Sequence, residues 1–319
     1  MSDEHPSIEE IRAAAERIRP YAHRTPVLTC AALDAMAGAR LFLKCENLQK
    51  VGAFKFRGAC NAVMSLADEQ ARRGVATHSS GNHAAALALA ARLRGVAAHV
   101  VMPRTTRAVK KAAVAGYGAR IVECEPTLAA REAGLAEVVA RTGATFVHPY
   151  NDPRVVAGQA TAALELLEQA GGLDAILAPV GGGGLLSGTA LAAAAIAPET
   201  RVIGAEPAAA DDACRSLREG RIVPSVDPRT IADGLLTSLG TLTFSVIRAH
   251  VAAIVTVSEE EIVAAMRHVW ERAKLVIEPS AAVPVAVALQ RRPDLAGRRV
   301  GIILSGGNVD LDHLPWAPV

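Results

Sequence analysis

The chain of 319 residues carries 34 Lys and Arg against 32 Asp and Glu, and is 51% hydrophobic but only 3% aromatic, a length that accommodates two packed lobes. A formal net charge of +2, with both signs scattered along the chain, leaves no basic stripe or acidic tail and argues against a dedicated nucleic-acid binder. The apolar runs Ala84–Ala91 and Thr189–Ala197 are alanine-rich and far shorter than the ~20 residues that span a bilayer, so no membrane segment is expected.

Met1–Pro20 holds Asp3, Glu4, Glu9 and Glu10 and lacks an apolar core or a small-residue cleavage site, so no secretory signal is expected. Five cysteines, Cys30, Cys45, Cys60, Cys124 and Cys214, are odd in number and never in C-x-x-C spacing, which argues against a disulfide framework or a zinc site. A reducing, cytoplasmic setting is expected.

From about residue 74 onward, short β-branched runs alternate with alanine- and leucine-rich helical stretches, the signature of βαβ units. Strands are predicted at Val75–His78, Ala98–Met102, Arg120–Glu123, Thr145–His148, Ala175–Val180, Arg201–Ala205, Ala253–Val257 and Val300–Leu304. The predicted class is α/β, with parallel-rich sheets flanked by helices. Pro149 and Pro153 flank a polar turn, and a lobe boundary is placed there.

Open α/β sheets bind ligands beyond their strand ends, so those loops carry the chemistry. Lys55 lies between Phe54 and Phe56; against aromatic surface an amine loses solvation and becomes a better nucleophile, although a snorkelling lysine has the same pattern. His78-Ser79-Ser80-Gly81-Asn82-His83 joins a strand to a helix and gathers hydroxyls, an amide and helix-terminal N–H groups suited to a carboxylate; a capped helix start reads the same way. Gly181-Gly182-Gly183-Gly184 follows an apolar strand and opens the predicted helix Leu185–Ala197, where backbone N–H groups and the helix dipole suit a phosphate. No Lys-Ser/Thr follows, and G-x-G-x-x-G fails at Leu186 or Ser187, so neither nucleotide fingerprint is present. Ser305-Gly306-Gly307-Asn308 closes the set after the last predicted strand.

Taken together, Lys44-Cys45-Glu46-Asn47-Leu48-Gln49-Lys50-x-Gly52-Ala53-Phe54-Lys55-Phe56-Arg57-Gly58-Ala59, Ser79 to His83, the tetraglycine run and Ser305 to Asn308 stand in the order and spacing of the serine/threonine dehydratases. The sequence resembles these pyridoxal-phosphate enzymes of the tryptophan-synthase β-subunit fold class (fold type II) from about Ile11 to Asp310, and most of all the serine racemase and hydroxyaspartate dehydratase branch. The resemblance implies a large cofactor-binding lobe from residues 1–73 and 151–319 and a small lobe from 74–150. It makes Lys55 the Schiff-base lysine, with Phe54 beside the cofactor ring and Gly181, Gly182, Gly183 and Gly184 on its phosphate. Asn82 would bond the ring hydroxyl and Ser305 would face the pyridine nitrogen. A hydroxyl there does not enforce ring protonation, which weakens the electron sink and favours prompt loss of a β-leaving group. Ser79, Ser80, Gly81, Asn82 and His83 would receive the substrate carboxylate, Arg131 would reach the site, and Ser80 would be the acid/base opposite Lys55.

The same resemblance places a divalent cation, Mg²⁺ or Ca²⁺, on Glu206, the Ala210 carbonyl and Asp212, an oxygen set that either ion accepts. The expected reaction is dehydration and deamination of L-serine or L-threonine to a 2-oxo acid and ammonia, with serine racemisation as a side activity and threo-3-hydroxyaspartate as the alternative substrate. A homodimer is expected. Two rivals are set against this: a nicotinamide-dependent dehydrogenase, suggested by the glycine run and Glu206, and a non-catalytic amino-acid sensor, which would not need Lys55. Val51, Ala53 and Pro284 depart from the family pattern; the first two argue against nucleotide stimulation.

Overall fold

A computed structural model describes residues 5–316; residues 1–4 and 317–319, the two ends of the expected large lobe, lie outside the described residues. The strands are β1 Val27–Leu28, β2 Arg40–Lys44, β3 Val75–His78, β4 Ala98–Pro103, β5 Arg120–Cys124, β6 Thr145–Phe146, β7 Ala175–Pro179, β8 Arg201–Pro207, β9 Ala253–Val257 and β10 Arg299–Ile303. They form a six-stranded sheet in the order β1-β2-β10-β7-β8-β9 and a four-stranded sheet in the order β5-β4-β3-β6. Every pairing is parallel except β1 with β2. All eight predicted strands are present, with β6 ending at Phe146 rather than His148.

β1 and β2 add to the eight strands expected from sequence. Arg40-Leu41-Phe42-Leu43-Lys44 begins and ends on a charge, yet Leu41 and Leu43 are fully buried and the strand pairs with β10 from Arg299 beside Arg40 to Ile303 beside Lys44. The local signal is weak because the partner strand lies at the far end of the sequence. β7, by contrast, is buried along its whole length, as a central parallel strand covered on both faces must be.

Two apolar clusters cover the two faces of the large sheet, and two smaller ones cover the faces of the small sheet. A further cluster joins the helix Lys55–Met64 to β3 and to the helix Asn82–Arg94. The helix carrying Lys55 therefore packs against the small sheet on one side. On the other it meets the helix Pro153–Ala170, where a Cβ at Gly158 would lie 2.6 Å from the Arg57 carbonyl; only glycine permits that approach. Asp152 caps this second helix by accepting from Arg154 N, with Pro153 in its first turn, so the break expected near residues 150–153 is a helix start.

Arg57 fixes that junction. Its guanidinium, fully buried, meets Glu46 through Nε at 2.7 Å and Nη2 at 2.8 Å, and Glu165 through Nη1 and Nη2, both at 2.8 Å. Buried Lys44 completes the cluster at 2.6 Å from Glu165. Removing one member of such a set leaves an unpaired buried charge and costs about 3–5 kcal/mol. Pro284 sits inside the buried helix Pro279–Leu289, where it removes one backbone donor.

Candidate active site

Lys55 opens its helix directly after Phe54. Its Nζ donates to the Pro149 carbonyl at 2.9 Å and stands 5.2 Å from the centre of the Phe54 ring. Burial pulls the amine down to about 8, against an opposing pull from the Glu278 carboxylate. The positive end of its own helix also disfavours a charge there. The arrangement yields an amine that is partly neutral near physiological pH, as a nucleophile or base requires.

The glycine run lies between β7 and the helix Gly184–Ile196, which begins one residue earlier than expected and ends at Ile196. The run is buried, and among the described residues no acceptor meets the backbone N–H groups of Gly181 to Leu186. Six amides without protein partners at a helix N-terminus fit a phosphate. The glycines have a second cause as well. A Cβ at Gly182 would enter the Tyr150 ring, one at Gly184 would lie 3.0 Å from Tyr150 Cβ, and Gly183, at φ +89°, packs on Thr243 and Leu239. The loop is therefore also a seat for Tyr150.

Tyr150 continues a turn in which His148 is fixed. His148 Nδ1 accepts from Tyr150 N at 3.2 Å and Asn151 N at 2.9 Å, so its proton resides on Nε2. Burial, with the positive neighbours His78 and Lys55, brings this imidazole down to about 4, and it is a neutral donor throughout the physiological range. His78 crosses it edge-on at 6.2 Å between ring centres.

At the end of β3, Ser79 N donates to the Val101 carbonyl at 3.2 Å and Gly81 N to Ser79 Oγ at 3.3 Å. The N–H groups of Ser80, Asn82 and His83 meet no acceptor among the described residues, a second anion seat at a helix start. His83 contributes only its main chain here, since its imidazole is buried and sits 3.3 Å from the Val147 carbonyl. Arg131 lies in the helix Leu128–Thr142, where its Nε donates to the Thr127 carbonyl at 3.4 Å. After burial itself, its charge is the main influence lowering His78, and it also acts on Tyr150.

Asn82 Nδ2 donates to both oxygens of Glu278, at 3.0 and 3.1 Å. Burial pushes that carboxyl up to about 7. Ser305 receives Phe54 N on its carbonyl at 2.9 Å, and its hydroxyl makes no hydrogen bond among the described residues.

The expected cation ligands lie from the end of β8 to the start of the helix Asp212–Glu219. Glu206 is buried and accepts from Ala213 N at 2.9 Å and Cys214 N at 2.8 Å. Both carboxylate oxygens of buried Asp212 lack a partner, and the Ala210 carbonyl accepts no hydrogen bond among the described residues. Burial pushes Glu206 up to about 8 and Asp212 up to about 6. No group of three or more His, Cys, Asp or Glu side chains that could hold a metal ion is found among the described residues.

The family model for pyridoxal-phosphate dependent enzymes matches residues 18–306. The chain belongs to the pyridoxal-phosphate dependent enzyme family. Within that family it is 56% identical to a beta-hydroxyaspartate dehydratase of Paracoccus denitrificans over 98% of this chain and 99% of that one. It is 50% identical to a serine racemase of Arabidopsis thaliana, covering 96% and 94%. The solved T.th. threonine deaminase superposes with a TM-score of 0.92 at 47% identity, over 96% of this chain and 99% of that one. The fold is the type II α/β fold of these enzymes, the chain is an enzyme of the β-eliminating group, and the dehydrogenase and sensor alternatives fall away. The unpartnered amides at Gly181 to Leu186 and the buried Lys55 amine fit pyridoxal phosphate. The residues that sequence reasoning missed are His148, Pro149, Tyr150 and Glu278, and Asn308 stands in the last motif with no role read for it. The first three stand at a predicted strand end, where ligand-binding loops are expected; Glu278 is marked only by the following proline of a helix start.

Proposed function

We propose that this pyridoxal-phosphate enzyme eliminates the β-hydroxyl of 3-hydroxyaspartate, releasing a 2-oxo acid and ammonia, and acts more slowly on L-serine and L-threonine. The observation that carries the choice of substrate is one guanidinium near two neutral imidazoles: the charge of Arg131 acts on His78, and His78 crosses His148 edge-on at 6.2 Å. The opposing carboxylates, Glu132 at His78 and Asp152 at His148, come last among the influences on those rings, and Asp152 is itself held by Arg154 at 2.6 Å. A second substrate carboxylate suits a planar guanidinium beside neutral donors. The identity to a relative named beta-hydroxyaspartate dehydratase supports the same choice.

When bound, pyridoxal phosphate supplies an electron sink that acidifies the α-carbon of the substrate. The amides of Gly181 to Gly184 would hold the phosphate, with Phe54 beside the ring, Asn82 on its hydroxyl and Ser305 toward its nitrogen. The unpartnered amides of Ser80, Asn82 and His83, in the turn shaped by Ser79 and Gly81, hold the α-carboxylate. Lys55 Nζ, kept partly neutral by burial, takes the α-proton. Ser80 serves the opposite face, which allows slow racemisation of serine. Glu206, the Ala210 carbonyl and Asp212 hold Mg²⁺ or Ca²⁺ through oxygen alone.

The lobes divide as residues 1–73 with 151–319 and residues 74–150, with the cleft between them, and the enzyme works as a cytoplasmic homodimer. No helix among the described residues is long and apolar enough to cross a membrane. The deciding experiment compares kcat/KM for threo- and erythro-3-hydroxyaspartate, L-serine and L-threonine on one preparation. A 3-hydroxyaspartate is expected to lead; equal or higher values for serine or threonine overturn the substrate choice.

A further inference from the structure

The last of the four motifs ends on Asn308, which the cofactor and substrate roles above leave unused. Its surroundings are unusual. Val51 adopts φ +57°, ψ +13°, a left-handed conformation that a β-branched side chain rarely tolerates, and Gly52 follows at φ +68°. This double left-handed turn leads through Ala53 and Phe54 into Lys55. A strained backbone persists only where its surroundings over-determine it, and here they do. Asn308 Nδ2 donates to the Val51 carbonyl at 2.8 Å, Gly307 N donates to the Gly52 carbonyl at 2.9 Å, and Ala53 bridges Gly306. A Cβ at Gly52 would stand 2.7 Å from Asn308 Oδ1, so the amide fits only over a glycine.

The same Nδ2 donates its second hydrogen to Asn82 Oδ1 at 2.9 Å, while Asn308 N donates to Glu278 Oε2 at 3.1 Å. Asn82 is thereby turned one way: its oxygen is taken by Asn308, one Nδ2 hydrogen is shared between the Glu278 oxygens, and the other meets no acceptor among the described residues. That remaining N–H is the group available to the ring hydroxyl of the cofactor.

We infer that Asn308 is a positioning residue, a clasp whose carboxamide holds the strained Val51 turn against Asn82, setting at once the lead-in to Lys55 and the orientation of the Asn82 amide. Asn308 is itself exposed and touches the reaction only through these two partners. The assignment is independent of which amino acid is the substrate.

The test is a double-mutant cycle on the enzyme freed of cofactor, comparing wild type, Val51→Gly, Asn308→Ala and the double variant by thermal unfolding, followed by titration of each with pyridoxal phosphate. Glycine takes the left-handed turn without help, so Asn308→Ala is expected to lower the unfolding temperature clearly in the Val51 background and much less in the Gly background; contacting residues couple in this way. Asn308→Ala is also expected to weaken pyridoxal phosphate about fivefold, the effect of one mis-set neutral hydrogen bond, and to shift its visible absorption band, whether or not Val51 is replaced. Equal temperature losses in both backgrounds overturn the clasp on the turn, and an unchanged band with unchanged cofactor affinity overturns the orientation of Asn82. Should Asn308→Ala give no folded protein, Asn308→Ser, which keeps a shorter donor, carries the same comparison.

Discussion

Lys55 Nζ and the Pro149 carbonyl lie 2.9 Å apart, so the amine is held by the same turn that locks His148 and lays Tyr150 on the glycine loop. A neutral amine can keep that one donor and still offer its lone pair, and burial has already brought it down to about 8.

Lys55→Ala is expected to lower turnover by at least ~10²–10⁴-fold, the usual worth of a positioned acid/base group, while the fold survives and pyridoxal phosphate is still held by the amides of Gly181 to Leu186. Borohydride should fix cofactor to the wild type and not to this variant. Ammonia release at the wild-type rate from Lys55→Ala would remove Lys55 from the chemistry.

Arg131→Ala is expected to reduce kcat/KM for 3-hydroxyaspartate by about 10–100-fold, since hydrogen bonds between charged groups are worth about 1.5–3 kcal/mol, and to leave L-threonine within a few-fold of wild type. Losses of equal size on both substrates would mean that Arg131 supports the helix Leu128–Thr142 rather than the substrate.

Ser80→Ala is expected to abolish formation of D-serine from L-serine, and every activity that starts from D-serine, while appreciable L-serine dehydration persists through Lys55. Chiral chromatography of reaction mixtures reads both. Loss of L-serine dehydration as complete as in Lys55→Ala would place Ser80 in binding or elimination instead.

The carboxyls of Glu206 and Asp212, pushed up to about 8 and about 6 by burial, give the cation-free protein a definite pH dependence. Between the ordinary carboxylate range and these values the folded chain binds more protons than the unfolded one. Their contribution to stability is therefore full at low pH and is lost as pH rises through about 6 and then about 8. A cation takes the place of those protons, so Mg²⁺ or Ca²⁺ should raise the unfolding temperature more at pH 8 than at pH 6. Glu206→Gln and Asp212→Asn should each blunt that response. The same stabilisation at both pH values, or its survival in both variants, would count against the site.

The parallel sheets are legible in the sequence because a strand covered on both faces must be apolar throughout, as β7 is, and because each is separated from the next by a helix or a long connection. β2 escapes for the opposite reason: its burial depends on β10, about 260 residues away, and nothing local announces that neighbour. Lys55, the glycine loop and the Ser79 to His83 turn can be read because each is a run of neighbours with one chemical sense. His148, Glu278 and Asn308 cannot, since their meaning lies in contacts across the chain: a carboxyl is ordinary until Asn82 and the Asn308 N–H are found on it.

The place of β2 in its sheet has a consequence for how the protein is made. Its neighbours are β1, two residues long, and β10, so a chain emerging from the ribosome carries β2 and the turn into Lys55 with one long side unpaired until β10 has been made. Arg57 finds Glu165 only after 108 further residues, and the Gly306 and Asn308 contacts come later still. Such long-range pairing is slow and leaves an open strand edge meanwhile. The enzyme is therefore born with its amine-bearing segment unseated, and the nascent chain cannot commit to the cofactor until Gly307 and Asn308 have been translated.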